Sequence, residues 1–470
     1  VALTQSLNRQ LAVWASNLDL RKVPPEVVHA TKLRILDIVG AMLGGLDTEL
    51  VQQVSAATPP SGAPDAVGLP GFDIRTNARD AALLMGTMAC VIEYDDSHVS
   101  TGVHPGSPIV ATALALGQHL DVSGKQLIRS VLLGNELTCR LGLVAPGAFH
   151  RVGFHPTGMV GAFGAAYTAA NLYGLNTEEI QNATGISGSF ASGIMASWED
   201  GTSAKSLHAG WGAAAGIEAV RLACHGVTGP AGVFEGRFGF YRAHVQNSDW
   251  MPDHGAAVSG LGERWELLNI APRAYPCGHY IQPFIDAALW IAQHKHYDPA
   301  DISKVVCLVA DYMVPLICEP AAEKARPMTT WHARYSLPFC IAECLLSRSF
   351  TKHSLSPSQL VDHAHTVLSG KVGYEVNLAD ADRAKWSGEV RVTLHDGSVL
   401  KHRINHMRGT PENPMTEEDL MAKFMGNAQH IIAPQIAEDF VDRVMRLENQ
   451  ENVRTTLSSI CRPGGIADLK

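Results

Sequence analysis

What this sequence lacks narrows its function before any motif is read. Its longest apolar runs, such as "AALLMGTMACVI" at 81–92, stop well short of the roughly 20 residues that a bilayer-spanning helix needs, so no membrane partner is expected. Lysine and arginine form no block, and 37 of them face 46 acids for a formal net charge of -9. The electrostatic footprint of a nucleic-acid binder is therefore missing. The nine cysteines are odd in number, scattered and never spaced C-x-x-C, a pattern of reduced thiols and not of a disulfide framework or zinc ribbon. Residues 1–20 carry polar and charged side chains where a signal peptide needs an unbroken apolar stretch. The expectation is a cytoplasmic protein.

Familiar ligand-binding and nucleophile motifs are missing too. "GMVGAFGAA" (158–166) matches neither G-x-G-x-x-G nor the P-loop and follows no strand, so it reads as a helix packing through small residues. "GISGSFASG" (185–193) misses the G-x-S-x-G spacing of an exposed serine nucleophile.

What is present is 470 residues, enough for roughly two or three domains, with 43 glycines often set beside alanine. Helical patterns dominate up to about residue 265. "PEVVHATKLRILDIVGAMLGG" (25–45) opens on Pro25 and closes on Gly44-Gly45, and Asn176 with Glu179 makes the capping-box spacing. Strand character appears later, in "KVVCLVADYM" (304–313) and in "GEVRVTLHDGSVLKHRI" (388–404), whose Asp396-Gly397 pair predicts a hairpin turn. Between them "ARYSLPFCIAECLLS" and "SPSQLVDHAHTVLSG" read as helices, and two amphipathic helices follow Thr416. The fold class is mainly α. A large all-α domain spans 1–268 and is completed by helices in 408–470, with a smaller α+β domain over 269–407.

Candidate chemistry gathers in a few polar interruptions. "EYDDSHVSTGVHPGSP" (93–108) holds Asp95, Asp96, His98 and His104 within ten positions. No H-x-x-x-H or H-E-x-x-H pair fixes two imidazoles on one helix face, and 21 histidines produce such clusters by chance, so no metal is expected. "GFHPTG" places His155 at a helix start, where the dipole lowers an imidazole's pKa and attracts carboxylates. "EDGTSAKSLHAG" brings Lys205 and His208, and "RAYPCGHYIQP" brings Tyr275, His279 and Gln282. Together these groups suit a small polycarboxylate and proton transfer.

The segments "KLRILDIVGAMLGG", "EYDDSHVSTGVHPGSP", "GFHPTGMVGAFGAA", "GTSAKSLHAGWGAAAG", "YPCGHYIQPFIDA" and "ARYSLPFCIA" occur in the order seen in the MmgE/PrpD family, and the chain resembles it over nearly its whole length. That family includes 2-methylcitrate dehydratase, cis-aconitate decarboxylase and iminodisuccinate epimerase. The resemblance implies a dimer in which the smaller domain is a lid and the active site lies in the cleft between domains, with no cofactor. It implies catalytic roles for Lys205, His104, His155 and Asp95 and brings Glu93 and Ser97 into the site; with His98, His208, Tyr275, His279 and Gln282 of the polar interruptions, these two are the expected substrate contacts. Decarboxylases of the family have aspartate at the position of Glu93, and threonine is common at Ser97. Two departures stand out. Gln282 replaces a histidine of the decarboxylases, and Phe339 replaces a tyrosine of many members.

Losing an imidazole and a phenol hurts a dehydratase or decarboxylase more than an epimerase, which needs only one base on each face of a carbon. The expectation from sequence is therefore an epimerase or racemase of an imino- or amino-linked dicarboxylic acid, iminodisuccinate-like, using Lys205 with His104 or His155. The alternative is a lyase of the same family acting on a tricarboxylate.

Overall fold

Small residues decide where the helices of this chain can meet. The computed structural model describes residues 6–246, 250–380 and 385–461. The chain is mainly α-helical, with three small sheets among the described residues. Two units separate by contacts: Val1–Val91, Asp95–Ile270 and Thr416–Lys470 form the first, Ile92–Tyr94 and Ala271–Met415 the second.

The first unit is built from α1 (Leu7–Asn17), α2 (Pro25–Gly44), α3 (Glu49–Ala57), α4 (Ala78–Cys90), α5 (Gly106–Leu120), α6 (Gly124–Leu143), α7 (Pro156–Tyr173), α8 (Thr177–Phe190) and α9 (His208–Cys224). Helix α7 is buried on every face from Pro156 to Leu172, as its alanine- and glycine-rich, all-round apolar sequence requires. It packs against α5, α6, α8 and α9. Helices α4 and α9 touch backbone to backbone, because a Cβ on Gly86 would lie 2.7 Å from the Gly210 Cα. Asn176 caps α8 through the reciprocal box with Glu179 that the sequence predicts. A buried Arg140–Glu136 pair at 2.6 Å stiffens α6, and the Arg140 guanidinium also donates to the carbonyls of Ala257, Ser259, Gly260 and Arg264.

In the second unit α10 (Gln282–His294) and α11 (Leu337–Ser347) pack together, and α10 also lies on a four-stranded sheet. The strands β1 (Ile302–Val309), β2 (Val372–Val376), β3 (Gly388–Leu394) and β4 (Val399–Ile404) run in the order β2-β1-β3-β4. The β3–β4 hairpin is the one expected, with Gly397 at φ +85° in its turn and Val392 opposite Leu400. Strand β1 ends at Val309, short of the expected residue 313, and a 3-10 turn takes Asp311–Met313. The segment expected as one helix after Ser356 is two, Pro357–Leu360 and His363–Ser369. The Asp362 carboxylate accepts the His365 N–H at 2.8 Å and starts the second one afresh. Strand β2, which the sequence did not announce, pairs parallel to β1 with Val305 opposite Val372.

The chain then returns to the first unit as α12 (Glu417–Ala428) and α13 (Pro434–Met445), both packed on α2. No helix of the described residues is long and apolar enough to cross a membrane.

Candidate active site

Three buried helices of the first unit begin beside histidines. His104 lies two residues before α5, His155 is the residue before Pro156 of α7, and His208 opens α9. Each position sets an imidazole at a helix N-terminus, where the dipole concentrates positive potential. The rings converge: the His104 and His155 centroids are 5.7 Å apart, His155 and His208 5.3 Å, and His150 and His155 6.4 Å. Lys205 enters from the turn Ser203–Leu207 just ahead of α9 and is buried.

The protein holds His104 in one tautomer. Its Nδ1 lies 2.8 Å from the main-chain oxygen of Asp96, which can only accept, so Nδ1 carries the proton. Ser97 Oγ lies 2.9 Å from the same nitrogen. In this tautomer a neutral ring has its lone pair at Nε2. The Thr157 hydroxyl accepts the His104 main-chain N–H at 2.9 Å and ties this loop to the start of α7.

His155 is 3% exposed, and its Nε2 is buried with no hydrogen-bond partner among the described residues. Its Nδ1 sits 3.2 Å from the Nδ1 of His208. Burial pushes the His155 pKa well below the usual imidazole range, helped by the Lys205 ammonium and by His104, His208 and His150. His208 falls to about 4, from burial and then Lys205. These two rings are therefore neutral at pH 7, surrounded by cationic and electropositive groups.

A layer of buried charge lies beside the imidazoles. Asp95 accepts from the Ser107 hydroxyl at 2.7 Å, and Asp96 Oδ1 from the Gly106 N–H at 2.9 Å. Asp96 is raised to about 7, first by burial and then by Asp95. Arg34 and Asp37 of α2 and Lys423 of α12 complete the group, with Lys423 Nζ 2.7 Å from Asp37. Two cations balance two carboxylates when Asp96 keeps its proton. Arg34, Asp37 and Lys423 escape the sequence reading, although Arg34 and Asp37 are charges inside an otherwise apolar helix. Lys423 looks like part of a solvated face, yet it turns inward. His150 is also missed, although it lies only five residues before His155.

The other predicted residues are placed differently. His98 is fully buried, with Nδ1 2.9 Å from Thr101 Oγ1 and Nε2 3.2 Å from Glu266, so both ring nitrogens already have protein partners. In the second unit, the Gln282 amide is spent on its own loop. Its oxygen accepts the N–H groups of Ala274 and Tyr275 at 3.1 and 3.0 Å, and its nitrogen donates to the Tyr275 and Cys277 carbonyls at 2.8 and 3.3 Å. The Tyr275 hydroxyl donates to Asp286 at 2.7 Å, and the His279 ring stacks on Trp386 with centroids 4.4 Å apart. Glu93 belongs to this unit as well. It adopts a left-handed backbone, φ +55°, and pairs with Arg273 at 3.1 Å, while facing the buried Arg334. Phe339 packs on His365, ring to ring at 3.9 Å. Among the described residues, no group of three or more histidine, cysteine or acidic side chains is arranged to hold a metal ion.

Comparison with known proteins gives this arrangement its context. The MmgE/PrpD N-terminal domain matches residues 9–253 and the MmgE/PrpD C-terminal domain residues 275–449. Cis-aconitate decarboxylase from Homo sapiens is 27% identical over 473 residues, covering 97% of this chain and 95% of that protein. Cis-aconitate decarboxylase from Mus musculus is 26% identical, covering 96% and 92%. The Aspergillus terreus enzyme of the same name is 23% identical, covering 97% and 96%. This chain belongs to the MmgE/PrpD family.

Proposed function

We propose that this protein is a lyase that releases carbon dioxide from a small unsaturated tricarboxylate of the cis-aconitate type, with imidazoles handling the proton. The observation that carries the reading is the set of histidines at three buried helix starts around Lys205. An ammonium and the N-termini of α7 and α9 are complementary to several carboxylates, and the imidazoles among them are neutral at pH 7, each offering one N–H and one lone pair. The full-length likeness to cis-aconitate decarboxylases supports the same reaction class.

In this scheme Lys205 and the helix N-termini hold the carboxylates. The bond from the departing carboxylate to its carbon breaks, and the electron pair delocalises towards a remaining carboxylate. The fixed positive groups stabilise that anion as it forms. An N–H at His155 Nε2 then gives its proton to carbon, while His104 Nε2 can accept one.

The epimerase expected from the sequence has less support. Its case rested on an acid deficit created by Gln282 and Phe339, but His150 and His208 stand beside His155 in the first unit, so imidazoles are not scarce. The relatives above are likewise named as decarboxylases.

The test is to offer the purified protein cis-aconitate, 2-methylcitrate and iminodisuccinate separately. Carbon dioxide release from the first is expected. Water loss from the second alone would replace the reading with a dehydratase. Racemisation of the third with solvent deuterium uptake, and no carbon dioxide from the first, would restore the epimerase.

A further inference from the structure

The contact between His155 and His208 joins two nitrogens of the same kind. At 3.2 Å, a hydrogen bond between two neutral imidazoles requires a proton on one Nδ1 and a lone pair on the other. The tautomers of the two rings are therefore locked in opposition. If His208 donates, the proton of His155 sits on Nε2, the buried nitrogen with no hydrogen-bond partner among the described residues. If His155 donates, that same Nε2 is a lone pair.

We propose that His208 and His155 form a two-imidazole relay, which carries protons between the half-buried ring of His208 and the enclosed reactive nitrogen of His155. The inference rests on the function proposed above only in taking His155 Nε2 as the donor to substrate carbon. In one pass, the His155 Nε2–H bond breaks as the new C–H bond forms. His155 Nδ1 takes the proton of His208 Nδ1, and His208 Nε2 takes one from solvent. Both rings end neutral with their tautomers exchanged, and one proton has moved from solvent to substrate. The pair resets in the opposite sense when the next substrate binds with its departing carboxyl group protonated: that proton passes to His155 Nε2, the His155 Nδ1 proton returns to His208, and His208 Nε2 releases one to solvent.

The surroundings are built for this. Exposure runs in the right direction, since His155 is 3% exposed and His208 only half-buried. Positions are fixed from the segment around Gly193, whose carbonyl accepts the His155 main-chain N–H at 2.8 Å. A Cβ on Gly193 would sit 3.0 Å from Cγ and 3.1 Å from Nδ1 of His208, so the backbone lies flat against that ring. Lys205, His104 and His150 face His155, and Lys205 also faces His208. Burial first, and then these neighbours, keep both rings from charging, and two imidazolium rings could not meet nitrogen to nitrogen.

His208→Asn separates relay from positioning. The asparagine amide can still donate to His155 Nδ1, but it cannot pass a proton on. The expected result is a fall in kcat of about 100-fold with KM within threefold. Added imidazole should restore part of the rate, and the solvent isotope effect should rise. Wild-type kcat with no response to imidazole would overturn the relay. Should none of the tested acids turn over, nitrogen-15 NMR of histidine-labelled full-length protein still decides it. One ring protonated at Nδ1 and the other at Nε2 is expected, and two rings both protonated at Nε2 would refute the proposal.

Discussion

Two regions of this chain look alike on paper and are used in opposite ways. "GFHPTG" with "AKSLHAG" in the first unit, and "RAYPCGHYIQP" in the second, both set polar residues around a turn at a helix start. In the first unit, His155 keeps a buried nitrogen without a hydrogen-bond partner among the described residues, and its pKa is driven well below the imidazole range. In the second, the Gln282 amide closes its own loop, and the Tyr275 hydroxyl is given to Asp286. Buried polar atoms normally find protein partners, so the informative ones are those held in reserve.

Lys205→Ala should break the comparison most severely. It removes the ammonium from the proposed carboxylate-binding site, and about a 1000-fold loss of kcat/KM is expected with circular dichroism unchanged. The same change removes a cause of the low pKa of His208, which should rise from about 4 towards the ordinary imidazole value in an NMR titration. Gln282→Ala should do the reverse. Buried N–H and carbonyl groups of the 274–277 loop would lose partners, costing about 2–3 kcal/mol in chemical denaturation, while kcat of the folded enzyme stays within about threefold.

The smallest effect sharpens the account of the buried charges. Asp96 has a folded-state pKa of about 7, above its value of 3.8 in the unfolded chain. The folded protein therefore holds a proton that the unfolded chain has lost. Stability falls as pH rises from about 4 through about 7 and then levels off. Asp96→Asn should flatten that slope, leaving the variant more stable than wild type at pH 8 by about 1–3 kcal/mol in denaturant melts.

Legibility in the sequence follows the same physics. The Asn176–Glu179 cap, the Asp396-Gly397 hairpin and the small-residue helix after His155 are local patterns, and the structure has each of them. So are the polar interruptions of apolar helices, which made His104, His155, Lys205 and His208 candidates. Pairings between distant segments are not local. Strand β2 is short and half-exposed, and nothing within "VGYEV" announces its parallel partner 67 positions away at Val305↔Val372. Lys423 turns inward only because Asp37 waits on α2, and the Nδ1 contact between His155 and His208 spans 53 positions. The sequence reading gave Gln282 and His98 to the substrate because polar side chains beside a candidate site look available. Only the fold reveals that their hydrogen-bonding atoms are already engaged.

The most direct test of the central claim is the rate of carbon dioxide release by His155→Gln, measured from pH 5.5 to 8.5 beside the wild type on cis-aconitate. Loss of about 100- to 1000-fold in kcat throughout that range is the predicted result, because His155 titrates below it. A variant that keeps the wild-type rate and pH profile would contradict the assignment of proton transfer to the imidazoles of the first unit.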